Sequence, residues 1–225
     1  RRDHITEKVA DLTDHWHEIQ SLSDFQVAQL IYDQDIDVLV DLGPHVTGNR
    51  TRSLTWRPAP VQVSYLGYPG SSGLECIDYW LTDAIVHPDD STEASTEIKF
   101  QLPRCWTCYS PPHDEVDIVE RTEADYAPTF GVVNHVSKFS AASYKTWAEI
   151  LHQCSNARLL IKSPALADPL IKERLKANLQ NYNAPLDRID ILGSTPKHTD
   201  HFLTYNDIDI CLDTFPYSGG TSTAD

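Results

Sequence analysis

The chain has 225 residues, 40% of them hydrophobic and 23% charged, which fits a globular protein and excludes an extended disordered one. With 33 acidic against 18 basic residues the net charge is −15, so a phosphate backbone would be repelled and nucleic acid is not expected as a partner. No apolar run approaches the length of a membrane span and no signal peptide is visible, so no membrane partner is expected; the absence of Met predicts an internal piece of a longer translated chain.

Near the start, Ser23-Asp-Phe-Gln26 has the reciprocal spacing of a capping box. Val27, Ala28, Leu30 and Ile31 continue it as a helical stripe, which an acidic turn at 33–35 ends. Ile36-Asp-Val-Leu-Val-Asp-Leu42 predicts a buried strand, and strand-like runs recur at 61–66 and 79–86. The strands are separated by turn-rich loops carrying His45 and, further on, Gly67-Tyr-Pro-Gly-Ser-Ser-Gly73. The acidic, Pro-flanked stretch 111–128 predicts a linker, giving domains at 1–110 and 129–225.

The second half alternates strand and helix. Strands are expected at 130–133, 158–162, 189–192 and 208–212. Helices are expected at 140–153, with Tyr144, Trp147, Ala148 and Leu151 on one face, and after Asp168-Pro169, with Leu170, Ile171, Leu175 and Leu179 as the stripe. A short helix is expected at 199–205. Such alternation predicts an α/β fold built from right-handed βαβ units on a parallel sheet. Ligands of parallel sheets bind beyond the carboxyl ends of the strands. The loops at 134–138, 197–201 and 213–223 should therefore meet on one rim.

The five cysteines are an odd number, and Cys154 and Cys211 fall in apolar patterns where a free thiol acts as a small hydrophobe. This predicts a reducing, cytoplasmic setting. Cys105 and Cys108 have the two-residue gap of a metal or redox pair, but no second pair follows, so no metal is expected.

The end of the chain carries the most chemistry. An apolar strand reaches Asp213, then Tyr217-Ser-Gly-Gly-Thr-Ser-Thr-Ala-Asp225 opens a helix with two glycines before it. Glycine admits an anion close to the backbone, and unpaired helical N–H groups favour phosphate. Lys138, in Asn134-His-Val-Ser-Lys138, supplies a compact positive charge for a diphosphate leaving group. His135 and His201 could hydrogen-bond a base or ribose, and His45 follows a strand into a candidate cleft.

These segments together resemble the protein O-GlcNAc transferase family, glycosyltransferase family 41, with its bacterial and SPINDLY-type relatives. The resemblance is carried in order by Ile36-Asp-Val-Leu-Val-Asp-Leu42, His45-Val-Thr-Gly-Asn-Arg50, Arg57-Pro-Ala-Pro-Val-Gln62 and Leu66-Gly-Tyr-Pro-Gly-Ser-Ser-Gly73. It continues through Asp78-Tyr79, Thr82-Asp83, Cys108-Tyr-Ser-Pro-Pro112, residues 130–138, Trp147-Ala-Glu-Ile-Leu151 and residues 211–225.

The resemblance implies a GT-B fold of two Rossmann-like parallel-sheet domains, both incomplete in this stretch. It also implies inverting, metal-independent transfer of GlcNAc from UDP-GlcNAc to Ser or Thr of protein acceptors, with no cofactor. Lys138 matches the lysine on the donor diphosphate. His135, Lys197, His201, Thr221, Ser222 and Asp225 match donor-binding positions, and Pro69, Gly70 and Ser71 match a loop closing over the donor sugar. Two departures stand out. Gly220 replaces a frequent histidine, and Lys197 needs a one-residue gap to align, without which His198 takes its place. Tetratricopeptide repeats are expected upstream, and this stretch by itself is expected to be inactive. Other readings are a GDP-fucose or UDP-glucose donor, a sugar-nucleotide epimerase, or a non-catalytic nucleotide-sugar-binding scaffold.

Overall fold

The computed structural model describes residues 2–110, 116–119 and 127–225. The chain divides into two compact units, residues 1–108 and 109–225. Most of the expected linker, at 111–115 and 120–126, lies outside the described residues.

In the first unit, α1 (His4–Asp11) and α2 (Asp24–Asp33) precede β1 (Val38–Asp41). The expected capping box is present: Ser23 Oγ accepts from the Gln26 amide at 3.3 Å, and Gln26 Oε1 accepts from the Ser23 amide at 2.9 Å. A short α3 (Thr51–Leu54) follows, then β2 (Val61–Ser64), β3 (Tyr79–Asp83) and β4 (Ile98–Leu102). The four strands form one parallel sheet in the order β1-β2-β3-β4. Its core gathers Val27, Ala28, Leu54, Val63, Ile77 and Trp80.

Three expectations change here. The strand at 36–42 is not buried: Val38 and Val40 are 53% and 42% exposed, because β1 pairs only with β2 among the described residues and stands at the sheet edge. The strand expected through 86 stops at Asp83. That carboxylate accepts from the amides of Ile85 and Val86 at 2.9 and 2.8 Å and turns the chain. The edge strand β4 was not foreseen.

The second unit runs β5 (Thr129–Val133), α4 (Ala141–Gln153), β6 (Arg158–Lys162), α5 (Pro169–Gln180), β7 (Ile189–Leu192), α6 (His198–Leu203), β8 (Ile210–Cys211) and α7 (Thr221–Ala224). Its sheet is parallel throughout, in the order β7-β6-β5-β8. Ser140 caps α4, its hydroxyl accepting from the Ser143 amide at 3.2 Å, and Asp168 caps α5 by accepting from Leu170 at 2.8 Å.

Trp147, Leu151, Leu159, Ile161 and Leu179 are at most 2% exposed, and each such side chain contributes roughly 1.5–3 kcal/mol by leaving water. Leu170 departs from the expected stripe. At 80% exposure it faces solvent in the first turn of α5, while Leu175 and Leu179 carry the packing. Cys211, expected to behave as a small hydrophobe, is exposed on the two-residue edge strand β8. The two parallel sheets with α/β elements agree with the expected fold class.

Candidate functional site

The carboxyl ends of β5, β6, β7 and β8 all point to one rim of the second sheet, since the strands are parallel. Two adjoining cavities open there, of about 460 Å³ and 240 Å³, sharing Val133, Asn134 and Ser222 as common wall. Of the residues singled out in the sequence, His135, Lys197, His201 and Ser222 line the larger cavity, and Asp225 with Ser222 lines the smaller.

The rim is tied together by buried polar contacts. Asn134, 8% exposed, follows β5 directly; its amide donates to Asp213 Oδ1 at 3.2 Å, and its carbonyl oxygen accepts from Ser222 Oγ at 3.3 Å. Asp213 Oδ1 also accepts from the amides of Thr214 and Gly219, each at 2.7 Å. One carboxylate thus closes the 213–219 turn and holds it against the β5 loop. A Cβ at Gly219 would stand 2.0 Å from Thr223 Oγ1, so the Thr223 side chain would have to turn away to admit one.

Lys138 ends the one-turn helix Val136–Lys138. Its ammonium donates to the Ser218 carbonyl at 2.9 Å and lies 4.9 Å from the centre of the Tyr217 ring, a cation–π distance. The lysine is therefore poised over the Gly-rich turn. His135 Nδ1 accepts from the Ser137 amide at 3.3 Å and pairs with Ser137 Oγ at 2.8 Å, which fixes the ring beside the cavity.

On the other side, Lys197 is the exposed N-cap of α6 and His201 lies one turn further on. His201 Nε2 stands 3.9 Å from Asp225 Oδ2, and Asp225 Oδ1 accepts from the Tyr109 hydroxyl at 2.7 Å. That hydrogen bond raises the Tyr109 phenol above its ordinary pKa. The Tyr205 hydroxyl donates to the Ser222 carbonyl at 3.1 Å, and burial, reinforced by Asp225, pushes its pKa well up, so it stays a neutral donor. Thr221 is exposed at the start of α7, and the cavity walls take Ser222 and Thr223 from that turn.

In the first unit the structure brings His45 and the 69–71 loop together. His45 Nε2 donates to the Ser71 carbonyl at 2.9 Å, and its ring meets Tyr68 edge-on at 4.7 Å. Glu97, 5% exposed, accepts from Ser71 Oγ at 2.6 Å, from the Ser72 amide at 2.7 Å and from Ser72 Oγ. Asp41, at the end of β1, buries Oδ2 without a hydrogen-bond partner among the described residues, and burial pushes its carboxyl up. No group of three or more His, Cys, Asp or Glu that could hold a metal occurs among the described residues.

Sequence reasoning passed over Glu97, Asp41 and Lys162. Lys162 is 3% exposed and lines the larger cavity from the end of β6. The available signal was a lysine closing an otherwise apolar strand.

Residues 2–108 match the profile of glycosyl transferase family 41. A curated protein of Eustoma exaltatum subsp. russellianum, described as a probable UDP-N-acetylglucosamine–peptide N-acetylglucosaminyltransferase SPINDLY, is 34% identical over 212 residues, 93% of this chain and 23% of that protein. The SEC protein of Arabidopsis thaliana, described as a probable enzyme of the same activity, is 26% identical over 97% of this chain and 23% of its own length. A solved mutant of the Thermobaculum terrenum O-GlcNAc transferase superposes with a TM-score of 0.89 at 35% identity, covering 99% of this chain and 42% of that one. The chain spans about a quarter of the length of these curated relatives.

Proposed function

From a chain that belongs to glycosyltransferase family 41, we propose the donor-binding part of a protein O-glycosyltransferase that moves GlcNAc from UDP-GlcNAc to Ser or Thr of protein acceptors. The observation that carries this reading is electrostatic. In a chain of net charge −15, the larger cavity is walled by Lys162, Lys197, His135 and His201, and no carboxylate is among its lining residues. Such a pocket attracts an anion into an acidic protein.

In this reading the nucleotide fills the cavity, Lys197 and His201 contact it, and its phosphates turn toward Lys138 and the 219–223 turn. The acceptor hydroxyl attacks the anomeric carbon from the face opposite the phosphate, which inverts that centre, and releases its proton to water. The carbon–oxygen bond to the β-phosphate breaks, and Lys138 neutralises the charge that develops on the departing diphosphate. The ammonium is already oriented by Ser218 and Tyr217, so little reorganisation is needed at that moment. No metal enters this scheme. The resemblance assigns Pro69, Gly70 and Ser71 to the donor sugar and leaves His45 as a candidate residue of the active-site cleft. We place tetratricopeptide repeats upstream and the protein in the cytoplasm. The five cysteines, all free, fit a reducing compartment, and no helix among the described residues is long and apolar enough to cross a membrane.

The test uses the full-length protein. UDP should bind in calorimetric titration in preference to GDP. Lys138→Ala should lower transfer by at least about 10²–10³-fold while leaving the melting temperature unchanged. Near-normal turnover in that variant would remove Lys138 from the mechanism. A preference for GDP would move the donor to a GDP-sugar. Binding of nucleotide-sugar with neither transfer nor hydrolysis would favour a scaffold.

A further inference from the structure

We infer that Lys162 is a specificity-determining contact of the larger cavity, its ammonium donating to an acceptor oxygen of the bound nucleotide from the floor between the β5 and β7 loops. The inference rests on the reading of that cavity as the nucleotide site.

Three observations carry it. The first is position: β6 lies between β5 and β7 in the sheet, and Lys162 is its last residue. It therefore sits between the loop bearing His135 and the loop bearing Lys197, and it lines the same cavity as both. The second is burial. Lys162 is 3% exposed, whereas lysine ordinarily keeps its charge in water. The third is its partner. Among the described residues its ammonium donates to one acceptor, the Thr204 hydroxyl, at 2.7 Å. That hydroxyl in turn donates to the Asp200 carbonyl at 3.0 Å, which fixes its orientation.

An ammonium has three donors and needs a compensating charge or several acceptors when taken out of water. A neutral hydroxyl meets one of those needs. Burial accordingly lowers the proton affinity of Lys162, with the more distant Asp200 charge opposing the change. Were the side chain only structural, an apolar chain of similar length would serve the fold better. A ligand bearing phosphate and carbonyl oxygens supplies the acceptors that the protein does not. The Thr204 contact holds the ammonium at one point, so an acceptor placed there is selected by position as well as by charge.

Lys162 differs in role from Lys138. A contact to the nucleotide is made in the ground state and in the transition state alike, so its loss appears in donor KM and leaves kcat nearly unchanged. Removal of Lys138 lowers kcat.

The experiment uses full-length protein with UDP as the calorimetric probe and UDP-GlcNAc as the kinetic substrate. Lys162→Met should fold with an equal or higher melting temperature, bind UDP about 10- to 100-fold more weakly, and raise donor KM with kcat within about twofold. Lys162→Gln keeps a donor for Thr204 without the charge and should show the same loss. Thr204→Val removes the tether but not the ammonium and should cause the smaller loss. Unchanged UDP affinity in Lys162→Met and Lys162→Gln overturns the inference, as does a Thr204→Val loss equal to theirs. Failure of the wild-type protein to bind UDP or GDP overturns the reading of the cavity itself.

Discussion

Replacing Glu97 by Ala should release the 69–73 loop from the first unit. The carboxylate accepts from the Ser71 hydroxyl, the Ser72 amide and the Ser72 hydroxyl, and Thr96 Oγ1 adds a longer contact at 3.2 Å. Ser72 is 8% exposed, so its two donors would lose their acceptor away from water. At about 1–3 kcal/mol for each buried donor left unpaired, the substitution should cost about 2–6 kcal/mol. Glu97→Gln keeps the shape and one acceptor oxygen, and the remaining hydroxyls can rotate. It forfeits mainly the charge assistance, about 1–2 kcal/mol.

The charge also sets a pH signature. Burial alone would raise the Glu97 pKa, but the hydrogen bonds from Ser71 and Ser72 outweigh it and hold the carboxyl below the ordinary glutamate value. A depressed folded pKa contributes stability that is fully present above the unfolded pKa of about 4.3. That contribution is lost as pH falls through the folded value. The gap in urea midpoint between wild type and Glu97→Gln should therefore be constant near neutrality and close in acid. Hydrogen exchange by mass spectrometry should show faster exchange of the Ser72 amide in both variants, most in Glu97→Ala. If Glu97→Ala exchanges and unfolds as the wild type does, Glu97 is not what holds the loop.

Two further outcomes follow from close packing and from helix ends. Gly67→Ala would place a Cβ 1.7 Å from the Leu42 carbonyl oxygen, so backbone must move; a loss of about 3 kcal/mol or more is expected in urea unfolding. Arg188→Met removes the guanidinium that donates to the carbonyls of Leu151, Cys154, Ser155 and Ala157 around the end of α4. About 2–4 kcal/mol should be lost in the same assay, with UDP affinity unchanged, because none of these groups lines the cavity.

The second unit was legible almost element by element, and for local reasons. Ser140 and Asp168-Pro169 announce helix starts through their own backbone chemistry, and Trp147, Leu151, Leu175 and Leu179 recur at the helical period. The first unit was less legible. Ile36-Asp-Val-Leu-Val-Asp-Leu42 has the composition of an interior strand, yet exposure depends on which neighbours cover it, and that is no property of the segment. Likewise Asp83 ends β3 with a side-chain contact to two later amides, where hydropathy alone would continue to Val86.

At the candidate site the same boundary holds. Residue types and spacing nominated Lys138, His135, His201 and the 213–225 turn as candidates, because a phosphate-bearing ligand needs cations, glycines and free amides after parallel strands. They could not single out Lys162 or Glu97. A lysine closing a strand and a glutamate before one look like solvated charges in the sequence. Burial beneath a cavity, or three donors arriving from a loop 25 residues away, arises only when distant segments pack. Composition and periodicity, which act over a few residues, thus set the element types and the parallel alternation of the second unit. Which charges were withdrawn from water, and toward what, was decided by the tertiary structure, because desolvation depends on everything that surrounds a group.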